Sequence, residues 1–78
     1  MYKALVLLDS VDKVKDFVCI SSKFEAELDL VNGRYVIDAK SIMGILTIDL
    51  SKPMILQIHD GRESIESILG ALREYIVA

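Results

Sequence analysis

The stretch FEAELDLVNGRYVIDA, residues 24–39, decides the fold of this chain. From Phe24 to Leu30 every second residue is apolar, and acidic residues fill the positions between, which is the period of a strand with one wet face. Asn32-Gly33 is the dipeptide best suited to positive φ at both centres of a type I′ turn. RYVIDA then returns as a second strand, so we predict a β-hairpin. We expect the acidic residues to form a solvated face and not an acid/base pair: Glu25, Glu27 and Asp29.

A strand and a helix are predicted before the hairpin. YKALVLL, residues 2–8, is rich in leucine and valine and is typical of a well-buried first strand. Asp9 or Ser10 can cap the helix that follows, because their side-chain oxygens accept backbone N–H groups. The helical segment VDKVKDFVCISSK has charged residues on one side and an apolar stripe on the other, formed by Val11, Val14, Phe17 and Val18.

Three further elements are predicted after the hairpin. SIMGIL, residues 41–46, is at most a short helix, SKP ends it, and MILQIH forms a last strand. The final helix is predicted to start at DGRE, where Asp60 caps the helix and Glu63 reaches back three residues later. Its apolar stripe is expected to contain Ile65, Ile68, Leu69, Leu72 and Ile76.

This order of elements predicts an α/β (α+β) two-layer open-faced sandwich of the pattern βαββαβα. Helices segregated from a largely antiparallel sheet are the natural architecture for it. We expect a four-stranded antiparallel sheet covered on one face by three helices, in a single domain spanning residues 1–78. A chain of this size has a thin core, which argues against a deep catalytic cleft; we expect no enzyme.

Composition narrows the classes of partner. The formal net charge is −3 and lysines and arginines do not cluster, which argues against nucleic acid. The single cysteine, Cys19, excludes an internal disulfide and suits a reducing cytosol. It is expected to be inert because no basic neighbour or metal-ligand spacing accompanies it. We predict a cytoplasmic protein without a membrane segment, metal or cofactor.

Residues 22–75 resemble HPr, the small phosphocarrier of the bacterial sugar phosphotransferase system. The run SKFEAELDL-VNG-R…AKSIMGIL…LSK…ILGAL carries the resemblance over about two thirds of the chain, and KSIMG is similar to the Gram-positive versions. The resemblance implies the HPr sandwich, in which the first and last strands are antiparallel neighbours. It also implies protein partners: phosphotransferase components, a serine kinase or a transcriptional regulator.

The chain departs from the family where HPr carries its phosphoryl group. The family motif resembles G-[IL]-H-[AT]-R-P at the start of the first helix, and this chain has DSVDK there. Ser10 stands in the histidine position, Asp12 in the arginine position and Lys13 in the proline position. A serine hydroxyl is a weak nucleophile without an adjacent base, and a carboxylate repels the phosphate that an arginine would hold. We predict no catalytic residue and no phosphate relay.

The only histidine, His59, does not follow the family motif. It comes at the end of the last strand, and the resemblance places that end at the edge of the sheet opposite Ser10. We expect His59 to be a solvent-facing or turn residue.

The resemblance also implies a regulatory role for Ser41. In Gram-positive HPr the serine of KSIMG is phosphorylated by a dedicated kinase, and a helix N-terminus favours an added phosphate. The alternative is that Ser41 is only an N-cap, worth about 1 kcal/mol.

A two-turn helix on a sheet hides one side only, yet apolar residues surround SIMGIL. In HPr-like proteins this segment and the start of the first helix form a docking surface, and such apolar patches often mark interaction sites. We predict a partner-binding surface with Ile42 and Met43 as the exposed pair, together with Leu46 and Ser10. The alternative is that all four apolar residues belong to the core, namely Ile42, Met43, Ile45 and Leu46.

The sequence therefore favours a regulatory or protein-binding module, with phosphorylation of Ser41 as its candidate means of control. Two alternatives stay open. The first is a working phosphocarrier that uses Ser10 or His59. The second is a structural or ligand-sensing domain that has kept only the fold.

Overall fold

The computed structural model describes residues 1–59 and 63–78. Four strands and three α-helices follow one another in the predicted order, and a short 3₁₀ helix comes last. Their bounds are β1 Tyr2–Val6, α1 Val11–Ser21, β2 Leu28–Asn32, β3 Tyr35–Asp38, α2 Ile42–Ile45, β4 Met54–Ile58, α3 Ile65–Ala71 and the 3₁₀ helix Arg73–Tyr75.

The four strands form one antiparallel sheet in the order β1-β4-β2-β3. The first and last strands are neighbours, and Tyr2 at the start of β1 lies opposite Ile58 at the end of β4. The sheet and its helices confirm the predicted open-faced sandwich.

The core lies between the helices and one face of the sheet. Alternate residues of the strands point into it, because successive side chains of a strand face opposite sides, and they meet the apolar stripe of α1. Phe17 of α1 is fully buried and packs edge-to-face on Tyr75, with ring centroids 5.5 Å apart. The fully buried strand residues are Val6, Leu28, Leu30, Leu56 and Ile58.

The hairpin forms as predicted, but its turn differs by one residue. Asn32 pairs with Tyr35, so Gly33 and Arg34 are the two central residues. Gly33 has a φ of 60°, and no described residue other than glycine has a positive φ. Positive φ at the first centre alone is the pattern of a type II′ turn and not of the predicted type I′ turn. The glycine takes the position that only a residue without Cβ adopts readily.

The prediction for the final helix was wrong at both ends. Asp60 lies outside the described residues, and α3 begins after Ser64, whose Oγ accepts the Ser67 N–H at 3.1 Å. Glu63 precedes this cap and therefore cannot be the third residue of the helix. The helix ends at Ala71, and Ile76 lies instead beside β1, bridged to Val6.

The first helix begins as predicted at the residue after Ser10, but its first apolar residue does not enter the core. Val11 is 48% exposed, whereas Val14, Phe17 and Val18 are buried. In the described part of the chain, no helix has the length and hydrophobicity needed to span a membrane.

Candidate functional site

Ser10 occupies the N-terminal tip of α1. Its backbone is extended, and its Oγ accepts the N–H of Lys13 at 3.2 Å, so it is the N-cap of the helix. A serine is well suited to this position because its oxygen satisfies a backbone donor that has no partner within the helix. Capping is thus a sufficient physical reason for a serine here.

The charges around Ser10 are unfavourable for a phosphate. Lys13 is the nearest cation in sequence, and its Nζ lies 2.8 Å from the Asp9 carboxylate. The hydrogen bond and the charge of Lys13 hold the pKa of Asp9 below its usual range. Asp12 adds a second carboxylate in the first turn, where it is favoured by the helix dipole. A dianionic group on Ser10 would meet two carboxylates and a lysine that is already paired.

His59 lies just past the end of β4, and the structure corrects its predicted solvent-facing position. Its Nε2 is 2.8 Å from Oδ2 of Asp29, and the two side chains are only 28% and 21% exposed. Its backbone N–H also donates to the Glu27 carbonyl. Because β4 is antiparallel to β1, His59 follows the end of β4 that lies beside the start of β1, whereas Ser10 follows the end of β1.

Ser41 caps α2 in the same way as Ser10 caps α1. Its Oγ accepts the N–H of Gly44 at 3.1 Å, and its backbone N–H donates to the Asp38 carbonyl at 3.0 Å. The predicted capping role is therefore confirmed. The residue is partly exposed, so its hydroxyl lies near solvent at the entrance of the helix.

Three of the four apolar side chains of α2 and its C-cap reach solvent. Met43 is 77% exposed, Leu46 38% and Ile42 37%, whereas Ile45 is fully buried. The alternative in which all four belong to the core is wrong, because a helix of one turn can turn only one side toward the sheet. We call Ile42, Met43 and Leu46 the α2 surface. α1 and α2 pack against each other in the helical layer.

Gly44 fixes the position of this short helix. A Cβ built on it would lie 3.0 Å from Cγ2 of Ile37 in β3 and 3.2 Å from Oγ of Ser41. Those distances are shorter than ordinary carbon contacts of about 3.5–4.0 Å. The absence of a side chain at Gly44 therefore lets α2 approach β3 and keeps the N-cap in place.

We expect Gly44→Ala to destabilise the protein by about 1 kcal/mol, because overpacking costs more than the alanine gains in helix propensity. Gly70→Ala is the matched control: Gly70 is also helical, and nothing lies within 4 Å of its Cβ position. That change should stabilise the protein by about 0.5–1 kcal/mol. Urea denaturation followed by circular dichroism measures both; equal effects of the same sign would contradict this account of Gly44.

A free thiol and a surface groove lie away from the N-terminal tips of α1 and α2. Cys19 is a free, exposed thiol on α1. Over residues 1–59 and 63–78, histidine, cysteine and acidic side chains do not gather in groups of three or more that could hold a metal ion. A groove of about 400 Å³ runs between β1 and α3, with Tyr2, Glu66 and Arg73 among its lining residues. Tyr2 is at the end of β1 away from Ser10.

The pairing of His59 with Asp29 was not predicted from the sequence, because 30 positions separate the two residues. Both belong to the uncovered side of the sheet by strand alternation. Their proximity follows from the register, in which Asp29 lies opposite Gln57. Without knowledge of that register, the contact between the two residues cannot be predicted from the sequence.

Solved structures of HPr proteins share this fold. HPr-C-His from Thermoanaerobacter tengcongensis superposes with a TM-score of 0.77 at 23% sequence identity, covering 95% of this chain and 89% of that one. The histidine-containing phosphocarrier protein of Mycoplasma gives a TM-score of 0.72 at 14% identity, covering 94% and 86%. No family model and no curated protein sequence matches the chain. The fold is thus the HPr open-faced sandwich.

Proposed function

We propose that this protein is an HPr-like protein-binding module that does not relay phosphate through a histidine. The observation that carries the proposal is the tip of α1, where a capping serine stands between two carboxylates and the nearest lysine is paired. Such a tip neither supplies a labile nucleophile nor holds a phosphate dianion. The fold that it shares with HPr proteins and the exposed α2 surface support a role in binding proteins.

The partners that the resemblance implies are proteins of the phosphotransferase system, a serine kinase or a transcriptional regulator. Such partners would place the protein in a bacterial cytoplasm. Exposed apolar side chains beside a polar rim are the type of surface that buries on association. The exposed methionine adds a flexible, polarizable contact that adapts to irregular partner surfaces.

Phosphoryl transfer tests the first half of the proposal. We expect no acid-labile label on this protein after incubation with labelled phosphoenolpyruvate and Enzyme I, the general phosphotransferase enzyme, under conditions that label an HPr with the family histidine. Acid-labile label on the wild type would overturn the proposal. Its loss in His59→Ala would then identify His59 as the carrier. Transfer to Ser10 would appear instead as acid-stable label that is lost in Ser10→Ala, because a serine phosphate is an ester that withstands acid.

His59 is the second candidate phosphate carrier because Asp29 can hold and polarise its imidazole, as carboxylates do in catalytic pairs. The nearby charges oppose this role. Asp29 of β2 lies directly opposite Asp38 of β3 in the sheet, so two carboxylates lie on the sheet beside the histidine. A phosphate on His59 would therefore be repelled, which favours the binding module.

Partner binding tests the second half of the proposal. We expect Ile42→Glu to weaken binding to a cognate protein partner at least tenfold, because a charge placed in an apolar contact leaves a desolvated carboxylate. Ile55→Glu is the matched control, since Ile55 is 39% exposed, close to the 37% of Ile42, but lies in β4. Equal affinity of the Ile42→Glu protein and the wild type would contradict a docking role for the α2 surface.

We further propose that phosphorylation of Ser41 controls this surface. A phosphate would place about two negative charges beside Ile42 and Met43, where they would disfavour an apolar partner and favour one with arginines. With ATP and an HPr serine kinase, we expect the wild type to be labelled and Ser41→Asn to stay unlabelled. Asparagine keeps a capping oxygen, so that variant should stay folded. Equal labelling of both proteins, or of neither, would contradict the proposal.

A further inference from the structure

The side of the sheet that the helices leave uncovered is unusually apolar. In β1, Ala4 and Val6 are buried beneath the helices, so Leu5 between them faces the other side. An antiparallel strand with one wet face normally alternates between apolar and polar residues, and β1 does not. Its apolar residues on both sides leave part of the open face without the polar residues that are typical of a solvated face.

Four apolar residues of the open face lie in one row across all four strands. Leu5 is opposite Ile55, Ile55 is opposite Val31, and Val31 is opposite Val36. Ile55 is 39% exposed and Val36 64%. Val77 continues the row beyond β1: its N–H donates to the Leu5 carbonyl at 2.8 Å, and it is 53% exposed. We call these five residues the open-face row.

The next row of the open face is polar, and its charges are arranged asymmetrically. Lys3 is opposite Gln57, Gln57 is opposite Asp29, and Asp29 is opposite Asp38. The cation is therefore on β1 and the carboxylates are on β2 and β3. Lys3 is exposed and forms no ion pair within residues 1–59 and 63–78. Within the described residues, the row thus has a cation without an ion pair at its β1 end and two carboxylates at its other end, of which Asp29 also contacts His59.

We propose that the open face is a homodimer interface, in which two copies stack their sheets around a two-fold axis that runs along β4. Such an interface must be self-complementary: if a residue of one copy contacts a second residue of the other copy, the same two residues also meet with the copies exchanged. The open face satisfies this condition in both its apolar row and its polar row.

The axis along β4 exchanges the two sides of the sheet. It places β1 of one copy over β2 of the other, and it places Ile55 over Ile55 of the second copy. Leu5 then meets Val31, and Val77 meets Val36, so that apolar residues face apolar residues throughout the row. In the polar row, Lys3 of each copy faces Asp29 of the other, which forms two symmetric pairs of opposite charge.

Charge selects this axis over the other two-fold axis in the plane of the sheet. An axis perpendicular to the strands, through Ile55, would also stack the apolar rows. It would, however, move the polar row to the other side of the apolar row and place Lys3 over Leu7. That arrangement desolvates a cation against an apolar residue without a partner, which is costly. Electrostatic complementarity of this kind fixes the register of an association more than its strength.

The area of the open face determines how strongly two copies are expected to bind each other. Four strands about 4.8 Å apart, each of five residues or fewer at about 3.4 Å per residue, give a face of roughly 19 by 17 Å. Two such faces bury roughly 650 Å² in total, which is below the range of about 1,200–2,000 Å² for stable specific complexes. We therefore expect a weak, reversible dimer with a dissociation constant in the high micromolar range, populated only at high protein concentration. Because the α2 surface is in the helical layer, both surfaces can be occupied at once.

Sedimentation velocity over a range of protein concentrations tests the proposal. We expect the wild type to shift from monomer to dimer with rising concentration, and Ile55→Lys to stay monomeric, since the symmetry places two lysines in contact. Ile42→Lys is the matched control and should dimerise as the wild type does. A wild type that stays monomeric into the millimolar range overturns the proposal. So does an Ile55→Lys protein that still dimerises.

A charge exchange tests the direction of the axis. Lys3→Asp places aspartates opposite each other and Asp29→Lys places lysines opposite each other, so each change should weaken dimerisation at least threefold. Combining them restores opposite charges, and the double variant should recover most of the lost affinity. Thermal melts confirm that each variant is folded. A double variant weaker than both single variants would overturn the proposed axis.

Discussion

Phe17→Ala is expected to remove most of the folding free energy of this protein. Phe17 is fully buried at the centre of α1, and truncating a buried phenylalanine to alanine typically costs about 3–5 kcal/mol. Native domains have only about 5–15 kcal/mol in total, and small ones are at the low end. We therefore expect a marginally folded protein, with a urea midpoint far below that of the wild type.

The effect is large because Phe17 joins three parts of the fold. Its ring packs edge-to-face on Tyr75 with an interplanar angle of 86°, a geometry worth about 0.5–1.5 kcal/mol beyond the buried area. Tyr75 in turn holds the residues beside β1, since its carbonyl accepts the Leu7 N–H at 2.9 Å. Burial raises the pKa of Tyr75 to about 12, so its ring stays neutral in this contact under ordinary conditions.

The Phe17→Leu variant separates the contribution of the ring contact with Tyr75 from that of buried apolar area in general. Leucine keeps most of the apolar contact but not the ring contact with Tyr75, so we expect a cost clearly smaller than that of alanine, about 1–2 kcal/mol. Urea denaturation monitored by circular dichroism gives both values. Similar stabilities of the wild type and the alanine variant would show that Phe17 is not a central core residue.

The fold was predictable because its signals are local. The alternation from Phe24 to Leu30 and the helical stripe of α1 each determine one element from a few adjacent residues. The details that failed depend on single positions. Asn32-Gly33 suits two turn types that differ by one residue in register, and only pairing with the partner strand selects between them.

The start of α3 shows a second limit. Both Asp60 and Ser64 are good N-caps, and the sequence places Glu63 where it completes a capping box with the first of them. The structure uses Ser64 because Glu63 is engaged elsewhere, with backbone N–H groups that precede β2. That contact spans 37 and 38 positions. Local sequence propensity cannot show that a distant part of the chain engages the Glu63 carboxylate.

For the candidate site, the sequence indicated which apolar residues of α2 are exposed, but not which protein binds them. A helix too short to bury all its apolar residues must expose some, which correctly identified Ile42 and Met43. Which partner they meet stays a prediction. The open-face row was beyond local analysis, because it requires the register of four strands at once. The apolar run of β1 was the only local sign of it, and it indicated burial on both sides.

Glu63 holds the segment that precedes β2 in place. Its two carboxylate oxygens accept the N–H groups of Glu25 at 2.7 Å and Ala26 at 3.0 Å. Hydrogen bonds to an ionised acceptor are about twice as strong as neutral ones. Without this carboxylate, the two N–H groups would lose their protein acceptor. We expect Glu63→Ala to lower the melting temperature by roughly 5–10 °C at neutral pH.

The dependence of stability on pH distinguishes hydrogen bonding by the ionised Glu63 carboxylate from packing of the Glu63 side chain. The hydrogen bond from Glu25, together with the bond from Ala26 and the charge of Lys40, holds the pKa of Glu63 below its usual range. A carboxyl whose pKa is lower in the folded state than in the unfolded state contributes stability above its unfolded pKa. That contribution is lost as the pH falls through the folded value. The difference in stability between wild type and Glu63→Gln should therefore be largest at neutral pH and shrink below about pH 4, the ordinary range of a glutamate.

Glu27→Gln is the control for the general effect of removing a carboxylate. Glu27 is exposed, and its side chain accepts no hydrogen bond within residues 1–59 and 63–78, so its loss should change the melting temperature by no more than about 2 °C. Asp9 and Asp49 also have lowered pKa values, and they titrate in the wild type and in both variants. Their contribution therefore cancels in the comparison. A difference between wild type and Glu63→Gln that stays constant from pH 7 to pH 3 would show that the carboxylate charge does not hold this segment.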